Sequence, residues 1–198
     1  LRELAGIAEG DITFLAGSTQ EPEEQIAVDI YRRLVTQHPR LRLILVPRHP
    51  ERFDAVAELL DATGLAWQRR SELRPEPPAK TEAAKPILLV DTVGELGDWW
   101  GAAQIAFVGG SFGSRGGQNM IEPAAYGAAV SFGPNIWNFR DIVAALKAAE
   151  AAAVVQDANE LEAFVLRCLK GPEYAAALGA RAQGLVASQL GATRRTVA

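Results

Sequence analysis

The sequence predicts an α/β fold: a Rossmann-like parallel sheet with helices on both faces. Two observations support this prediction. Short apolar runs alternate with amphipathic helical patterns along the chain, and the runs are continuously apolar, as in parallel strands that are buried on both faces. The predicted strands are residues 12–16, 41–46, 65–67, 87–90, 105–108, 129–132 and 153–155. A composition of 48% hydrophobic and 22% charged residues is typical of a soluble globular fold.

Helical patterns fill the intervals between these strands. The first begins at the acidic, proline-containing Glu21-Pro22-Glu23-Glu24 and ends before Pro39, with Ile26, Ile30 and Leu34 forming its buried stripe. A second helix spans residues 51–62, and Gly64 is expected to cap it. Further helices are predicted at residues 95–103, 120–126, 139–149 and 160–169, followed by one or two helices over residues 172–190.

The 198 residues fit one domain, so we predict a single Rossmann-like domain over residues 1–198. The segment 72–86 contains four prolines among charges and alanines, and we predict a mobile loop there. The chain begins without methionine and almost directly at a strand, which indicates a piece of a longer protein.

Composition excludes several functions. A net charge of −4 provides no basic field for nucleic acid, and the pairs Arg69-Arg70 and Arg194-Arg195 are interpreted as solvated surface. Cys168 is the only cysteine, so there is no internal disulfide, and we expect an inert buried thiol. There is no run of about 18 apolar residues and no signal peptide, so we expect a soluble chain. Trp99 and Trp100 are expected in the core.

The most informative motif is the glycine-rich segment 109–123, in which five glycines lie between a strand and a helix. Backbone without side chains can approach an anion closely, and the following helix N-terminus favours negative charge. We favour ligand binding, although Asn119 and Glu122 also have the spacing of a capping box that needs no ligand. The glycines do not form a dinucleotide or P-loop fingerprint, so hydride transfer and P-loop hydrolysis are poorly supported.

Two other segments follow strands and should meet the glycine loop at the same edge of the sheet. In residues 46–53, two prolines stiffen a turn that carries Arg48, whose planar guanidinium suits phosphate; a plain surface arginine is the alternative. Arg52 is expected to be solvated or paired with Glu51 or Asp54. Gly94 and the main-chain amides of residues 91–96 could line a base pocket, although Asp-Thr before a helix is also ordinary capping. The hydroxyls of Ser18 and Thr19 either face the cleft or cap the next helix.

In their order along the chain these segments resemble one known family. Five segments are similar to segments of 3-deoxy-D-manno-octulosonic acid (Kdo) transferases. They are Ala16-Gly17-Ser18-Thr19 with Glu23-Glu24; Pro47 to Phe53; Asp91 to Leu96; the glycine segment through Ala124; and Gly133-Pro134 with Asn138-Phe139. Each motif alone is of moderate specificity, and five in this order are specific. The resemblance covers about residues 11–195.

The resemblance implies the donor-binding, C-terminal half of a two-domain GT-B enzyme. Such an inverting glycosyltransferase transfers Kdo from CMP-Kdo to lipid A precursor, without cofactor or metal, at the cytoplasmic face of the bacterial inner membrane. The family's catalytic carboxylate, acceptor site and membrane anchor lie in an N-terminal domain absent from this chain. The resemblance therefore implies no catalytic residue here, no turnover by this chain alone, and membrane contact only through the full-length protein.

The residues that the resemblance and the glycine loop assign to the nucleotide sugar form three groups. They are Pro47 and Arg48; Val93, Gly94 and Glu95; and Gly110, Ser111, Asn119, Met120, Ile121 and Glu122. Arg48 would neutralise phosphate and Glu122 would hold the ribose. Gln118 stands where the family usually has histidine, and Arg115 is a candidate phosphate contact. Two alternatives remain open: a UDP-sugar epimerase of the same architecture, and a non-catalytic module that binds sugar nucleotides.

Overall fold

The computed structural model describes residues 1–74 and 86–196, with side chains as far as Gln189. Within this part, seven parallel strands form one sheet in the order β3-β4-β2-β1-β5-β6-β7. The strands are β1 Ile12–Thr19, β2 Leu41–Pro47, β3 Trp67–Arg69, β4 Ile87–Leu89, β5 Ile105–Val108, β6 Ala129–Phe132 and β7 Ala153–Val154.

Helices follow β1, β2, β4, β5, β6 and β7, as predicted. They are α1 Glu23–Leu34, α2 Phe53–Thr63, α3 Leu96–Trp100, α4 Ile121–Ala125, α5 Arg140–Ala148, α6 Ala158–Lys170 and α7 Pro172–Thr196, with short 3-10 helices at Pro50–Arg52, Arg70–Glu72 and Trp137–Phe139. Local chemistry explains several boundaries. Gly64 ends α2 in the left-handed conformation with φ 68°, and the Asp157 carboxylate accepts the first free amides of α6.

Helices cover both faces of the sheet, which confirms the predicted fold class. Alternate residues of β1 point to opposite faces, so Phe14 and Ala16 join one core with α1, α2 and α6, whereas Leu15 joins a second core with α3, α4 and α5. The helix α7 contributes Leu178 to the first core and Ala182 to the second. Trp99 and Trp100 are fully buried, as predicted.

The strand order creates a crevice at one edge of the sheet. β1 lies at the centre, with β2, β4 and β3 on one side and β5, β6 and β7 on the other. The connections after the adjacent strands β1 and β5 lead to opposite sides, to β2 and β6, and this is a topological switch point, where ligands of open parallel sheets bind beyond the carboxyl ends of the strands.

Several local predictions were wrong. β1 continues through Thr19, with a register shift after Gly17 that leaves Ser18 at φ 54°. The third strand begins two residues late, because Trp67, Gln68 and Arg69 pair with β4. The C-terminal segment is a single helix, α7, which agrees with the prediction of one or two helices, but it extends beyond residue 190. The predicted mobile loop, residues 72–86, lies almost wholly outside the described residues.

The predicted arginine environments were also wrong, because the partners come from distant segments. Arg69 pairs with Asp54 at 2.9 Å and Asp91 at 3.3 Å, and Arg70 pairs with Glu95 at 2.8 Å, so this pair is not simply solvated. Arg52 pairs with Glu21 and Glu24, both at 3.2 Å, rather than with Glu51 or Asp54. The side chains of Arg194 and Arg195 lie outside the described part.

An ion pair that the sequence did not predict anchors the first residues to the sheet. Arg42, the second residue of β2, meets Asp11 at 3.3 Å, with side-chain exposures of only 4% and 2%. The same guanidinium donates to the carbonyls of Gly6 at 3.1 Å and Ala5 at 3.3 Å. Cys168 is buried as predicted, and burial raises the pKa of its thiol to about 12. No helix in the described residues combines the length and apolar character that a membrane crossing requires.

Candidate functional site

A cleft of about 610 Å³ opens at the carboxyl edge of the sheet, within the range usual for small-molecule sites. Its walls come from residues at or just after the ends of β1, β2, β4, β5 and β6. It is lined by Ser18, Val46, Pro47, Arg48, Pro50, Phe53, Thr92, Val93, Gly94, Leu96, Gly97, Gln118, Asn119, Glu122 and Phe139. Segments far apart in sequence thus converge on the switch point.

Arg48 carries the positive charge of this cleft. Its main-chain amide donates to the Thr19 carbonyl at 3.0 Å, which fixes the turn after β2 against the end of β1. Within the described residues, its exposed guanidinium has no hydrogen bond or ion pair, and it is the single cation lining the cleft. An uncommitted guanidinium of this kind is suited to an anionic group of a ligand.

Asn119 and Glu122 line the same cleft from the loop after β5, whereas Arg48 follows β2 on the other side of β1. The Asn119 amide nitrogen donates to Glu122 Oε1 at 3.0 Å, and its Oδ1 accepts the main-chain N–H of Ile121 at 3.0 Å. This is not the capping box considered above, because the Asn119 oxygen accepts the N–H of Ile121 rather than that of Glu122, and the Glu122 carboxylate accepts the side-chain amide of Asn119 rather than its main-chain N–H. Asn119 instead orients the exposed carboxylate of Glu122, which can accept ligand hydroxyl groups.

The loop after β4 supplies a partly apolar wall. Val93 is 78% exposed and lies beside Gly94, whose φ of 89° suits glycine. The neighbouring Glu95 is committed elsewhere: its carboxylate accepts two bonds from Arg70, at 2.8 and 3.0 Å, and one from Trp99 Nε1 at 3.1 Å. Glu95 therefore holds the loop on Arg70 and does not line the cleft.

The glycine-rich loop makes its closest contacts with the protein itself. The amides of Gly110 and Ser111 donate to the Glu23 carboxylate at 2.7 and 3.0 Å. Gly116 and Gly117 have φ of 83° and 85°, and a Cβ at Gly116 would lie 2.5 Å from Trp137 Nε1. The loop is thus packed tightly, with its first amides already bonded to an internal anion.

Comparison with known proteins identifies relatives of this chain. No family model matches it. It is 38% identical over 193 residues to the 3-deoxy-D-manno-octulosonic acid transferase of Bordetella pertussis and 36% identical over 185 residues to that of Haemophilus influenzae, covering 96% and 92% of this chain. The chain spans 44% and 42% of these relatives, less than half of each.

A solved structure matches over nearly its whole length. The C-terminal CMP-Kdo binding domain of WaaA from Acinetobacter baumannii superposes with a TM-score of 0.81 at 31% identity, with 93% of this chain and 96% of that domain covered. The chain belongs to the Kdo transferase family. The predicted family resemblance and the GT-B assignment of the fold are therefore confirmed.

In this Kdo transferase family domain, the cleft brings together six of the residues predicted from sequence. They are Pro47, Arg48, Val93, Gly94, Asn119 and Glu122. Five others do not line it: Glu95, Gly110 and Ser111 are bonded as described, Met120 is fully buried in the core, and Ile121 lies outside the cleft. Arg115 is exposed and also lies outside it.

The sequence did not single out several other lining residues. Phe53, Leu96 and Phe139 read as helix or core positions, because their apolar character alone does not distinguish a cleft wall from an interior. Ser18 gave a partial signal as a hydroxyl directly after a strand. Gln118 was noted only for replacing histidine, and it packs against Gly110. Among the described residues, no three His, Cys, Asp or Glu side chains are grouped so as to hold a metal ion.

Proposed function

We propose that this chain is the donor-binding domain of a Kdo transferase and that its cleft binds the CMP moiety of CMP-Kdo. The observation that carries the proposal is that the uncommitted guanidinium of Arg48 and the Asn119–Glu122 pair line one cleft, on loops that follow strands on either side of β1. A nucleoside monophosphate carries a phosphate and a vicinal diol, which match a cation and a carboxylate in the same cleft.

The chemistry of the bound donor follows from these two contacts. When the bond between Kdo and phosphate breaks, negative charge develops on the leaving CMP, and a fixed guanidinium stabilises that charge. Glu122 accepts ribose hydroxyls, and the exposed Val93 with Gly94 offers a surface for the base. Glu23 and Glu95 are bonded within the fold, so we assign neither as a general base.

In the full-length protein, an N-terminal domain would complete the enzyme. We propose that it supplies the acceptor site for lipid A precursor, the catalytic carboxylate and the contact with the cytoplasmic face of the inner membrane. The transfer is proposed to need no metal or cofactor, and this chain alone is proposed to bind nucleotide without turnover. The domain match to a CMP-Kdo binding domain supports the choice of donor.

Calorimetric titration with CMP and with UDP tests the proposal and separates it from an epimerase acting on UDP sugars. We expect tighter binding of CMP, and a clear preference for UDP would contradict the proposal. Arg48→Ala should weaken CMP binding by about 1.5–3 kcal/mol, the scale of a hydrogen bond to a charged group. Arg32→Ala is the control, because Arg32 pairs only with Asp29 on the surface of α1. Turnover of CMP-Kdo and lipid A precursor by the full-length protein excludes a purely non-catalytic module.

A further inference from the structure

Two adjacent carboxylates at the start of α1, Glu23 and Glu24, have no role in the proposed contacts with CMP. Each residue is only 1% exposed, and neither lines the cleft. Glutamate is almost never buried to this extent unless it is paired or hydrogen-bonded. Their long-range partners lie in the loops after β5 and after β2, both of which contribute residues to the cleft.

Glu23 bonds to the loop after β5. Its Oε2 accepts the main-chain N–H groups of Gln20 at 2.9 Å and Gly110 at 2.7 Å, and its Oε1 accepts those of Ser111 and Phe112, both at 3.0 Å. Successive amides that converge in this way form an anion-binding concavity, which here is filled by a side chain of the protein. Burial raises the pKa of Glu23, and the four N–H groups oppose that rise.

Close packing leaves this carboxylate one position. A Cβ at Gly109 would lie 2.6 Å from Glu23 Oε2 and 2.7 Å from the Ser18 carbonyl. The glycine is therefore needed where the end of β1, the start of α1 and the loop after β5 meet. From this junction the loop runs through Gln118 to Asn119 and Glu122.

Glu24 bonds to the loop after β2. Its Oε2 pairs with Arg52 at 3.2 Å, and Arg52 ends the 3-10 helix that directly follows Arg48 and His49. Arg52 also pairs with Glu21 at 3.2 Å. Together these pairs attach the Arg48 loop to the N-terminal end of α1.

We propose that Glu23 and Glu24 are positioning residues that set the spacing of the donor cleft from behind. Glu23 holds the loop leading to Asn119 and Glu122, Glu24 holds the loop bearing Arg48, and α1 connects the two. Neither carboxylate touches the nucleotide. This inference rests on the proposed donor site, because the spacing matters only where one ligand must meet both walls.

Glu23→Gln tests the first attachment with little change in size. Each carboxylate oxygen of Glu23 faces two N–H donors, whereas a glutamine presents only one oxygen and directs an NH₂ group at the other pair. We expect CMP affinity about tenfold lower and faster hydrogen exchange at the amides of Gly110, Ser111 and Phe112. Glu162→Gln is the matched control, since Glu162 pairs with Arg33 at the other end of α1.

Arg52→Gln tests the second attachment without opening the core, because the Arg52 side chain is 25% exposed. We expect CMP affinity several-fold lower, with Arg32→Gln as its control. If Glu23→Gln does not fold, Arg52→Gln alone tests the positioning role. A purely structural role would lower the thermal midpoint of unfolding and leave CMP affinity, measured well below that midpoint, unchanged.

The outcomes separate this inference from the proposed function. Weakened CMP binding in Glu23→Gln and Arg52→Gln, with both controls unchanged, supports it. If the wild-type chain binds CMP and the folded variants bind it equally well, the positioning role is overturned and the donor site stands. If the wild-type chain does not bind CMP, the donor site fails and the positioning role fails with it.

Discussion

Replacing Arg42 with methionine removes the buried cation that ties the first residues of the chain to the sheet. The Arg42–Asp11 pair is more than 95% buried on both sides, with side-chain exposures of 4% and 2%. The variant leaves the Asp11 carboxylate in the interior without its guanidinium, and it leaves the carbonyls of Gly6 and Ala5 without that donor. Breaking a buried pair on one side costs about 3–5 kcal/mol.

Urea denaturation followed by fluorescence of the buried Trp99 and Trp100 measures this loss. Arg32→Met is the matched control, because the Arg32–Asp29 pair has side-chain exposures of 56% and 29% and contributes at most about 1 kcal/mol. Adding Asp11→Asn to Arg42→Met should recover about 1–3 kcal/mol, because no uncompensated charge then remains buried. Equal losses of unfolding free energy in Arg42→Met and Arg32→Met would contradict a special cost of breaking the buried pair.

Three further predictions concern packing, titration and ribose recognition. Gly179→Ala should destabilise the chain by about 1–3 kcal/mol in urea denaturation, because the new Cβ would overlap the Gly127 carbonyl. Gly184→Ala lies on the same helix with open space around it and should stabilise the chain by about 0.5–1 kcal/mol. Effects of the same sign in the two variants would contradict the packing of α7. Burial raises the pKa of Cys168 from 9.0 to about 12, so the stability contributed by the neutral thiol is complete below pH 9 and is lost as the pH rises through about 12. The difference in unfolding free energy between wild type and Cys168→Ala should therefore fall over that window by up to about 1.4 kcal/mol per pH unit. A difference that does not change with pH would show a solvated thiol. Glu122→Gln should weaken CMP binding by about 1–2 kcal/mol and reduce the preference for CMP over 2′-deoxy-CMP in calorimetry, whereas an unchanged preference would remove Glu122 from the ribose.

The fold was predictable because its signals are local. The strands other than β3 each contain a short apolar run, and the helices carry amphipathic spacing or terminal signals such as Gly64, so the type and order of these elements follow from short windows of sequence. The errors lie at element ends. β1 gains Gly17, Ser18 and Thr19 because pairing with β2 continues past the apolar run, with a register shift that no propensity reveals.

The site was only partly predictable because its loops are held by distant partners. The position after a strand was enough to place Arg48, Val93, Asn119 and Glu122 at one edge. It could not show that the Gly110 amide is bonded to a carboxylate 87 residues away.

The same limit applies to the other predicted contacts that do not line the cleft. Arg70, 25 residues from Glu95, binds that carboxylate and holds it outside the cleft. Met120 was assigned from its place in a motif, yet its side chain is apolar and enters the core. Sequence position identifies which loops meet, and long-range hydrogen bonds determine which of their groups remain free for a ligand.

A crystal structure of this chain with CMP shows directly whether the cleft binds the nucleotide. We expect the phosphate in ion-pair contact with Arg48, and the ribose hydroxyls on Glu122, in the cleft at the ends of β1, β2 and β5. A nucleotide bound elsewhere, for example in the groove beside Lys147, Arg167 and Arg181, or a phosphate turned away from Arg48, would contradict this expectation.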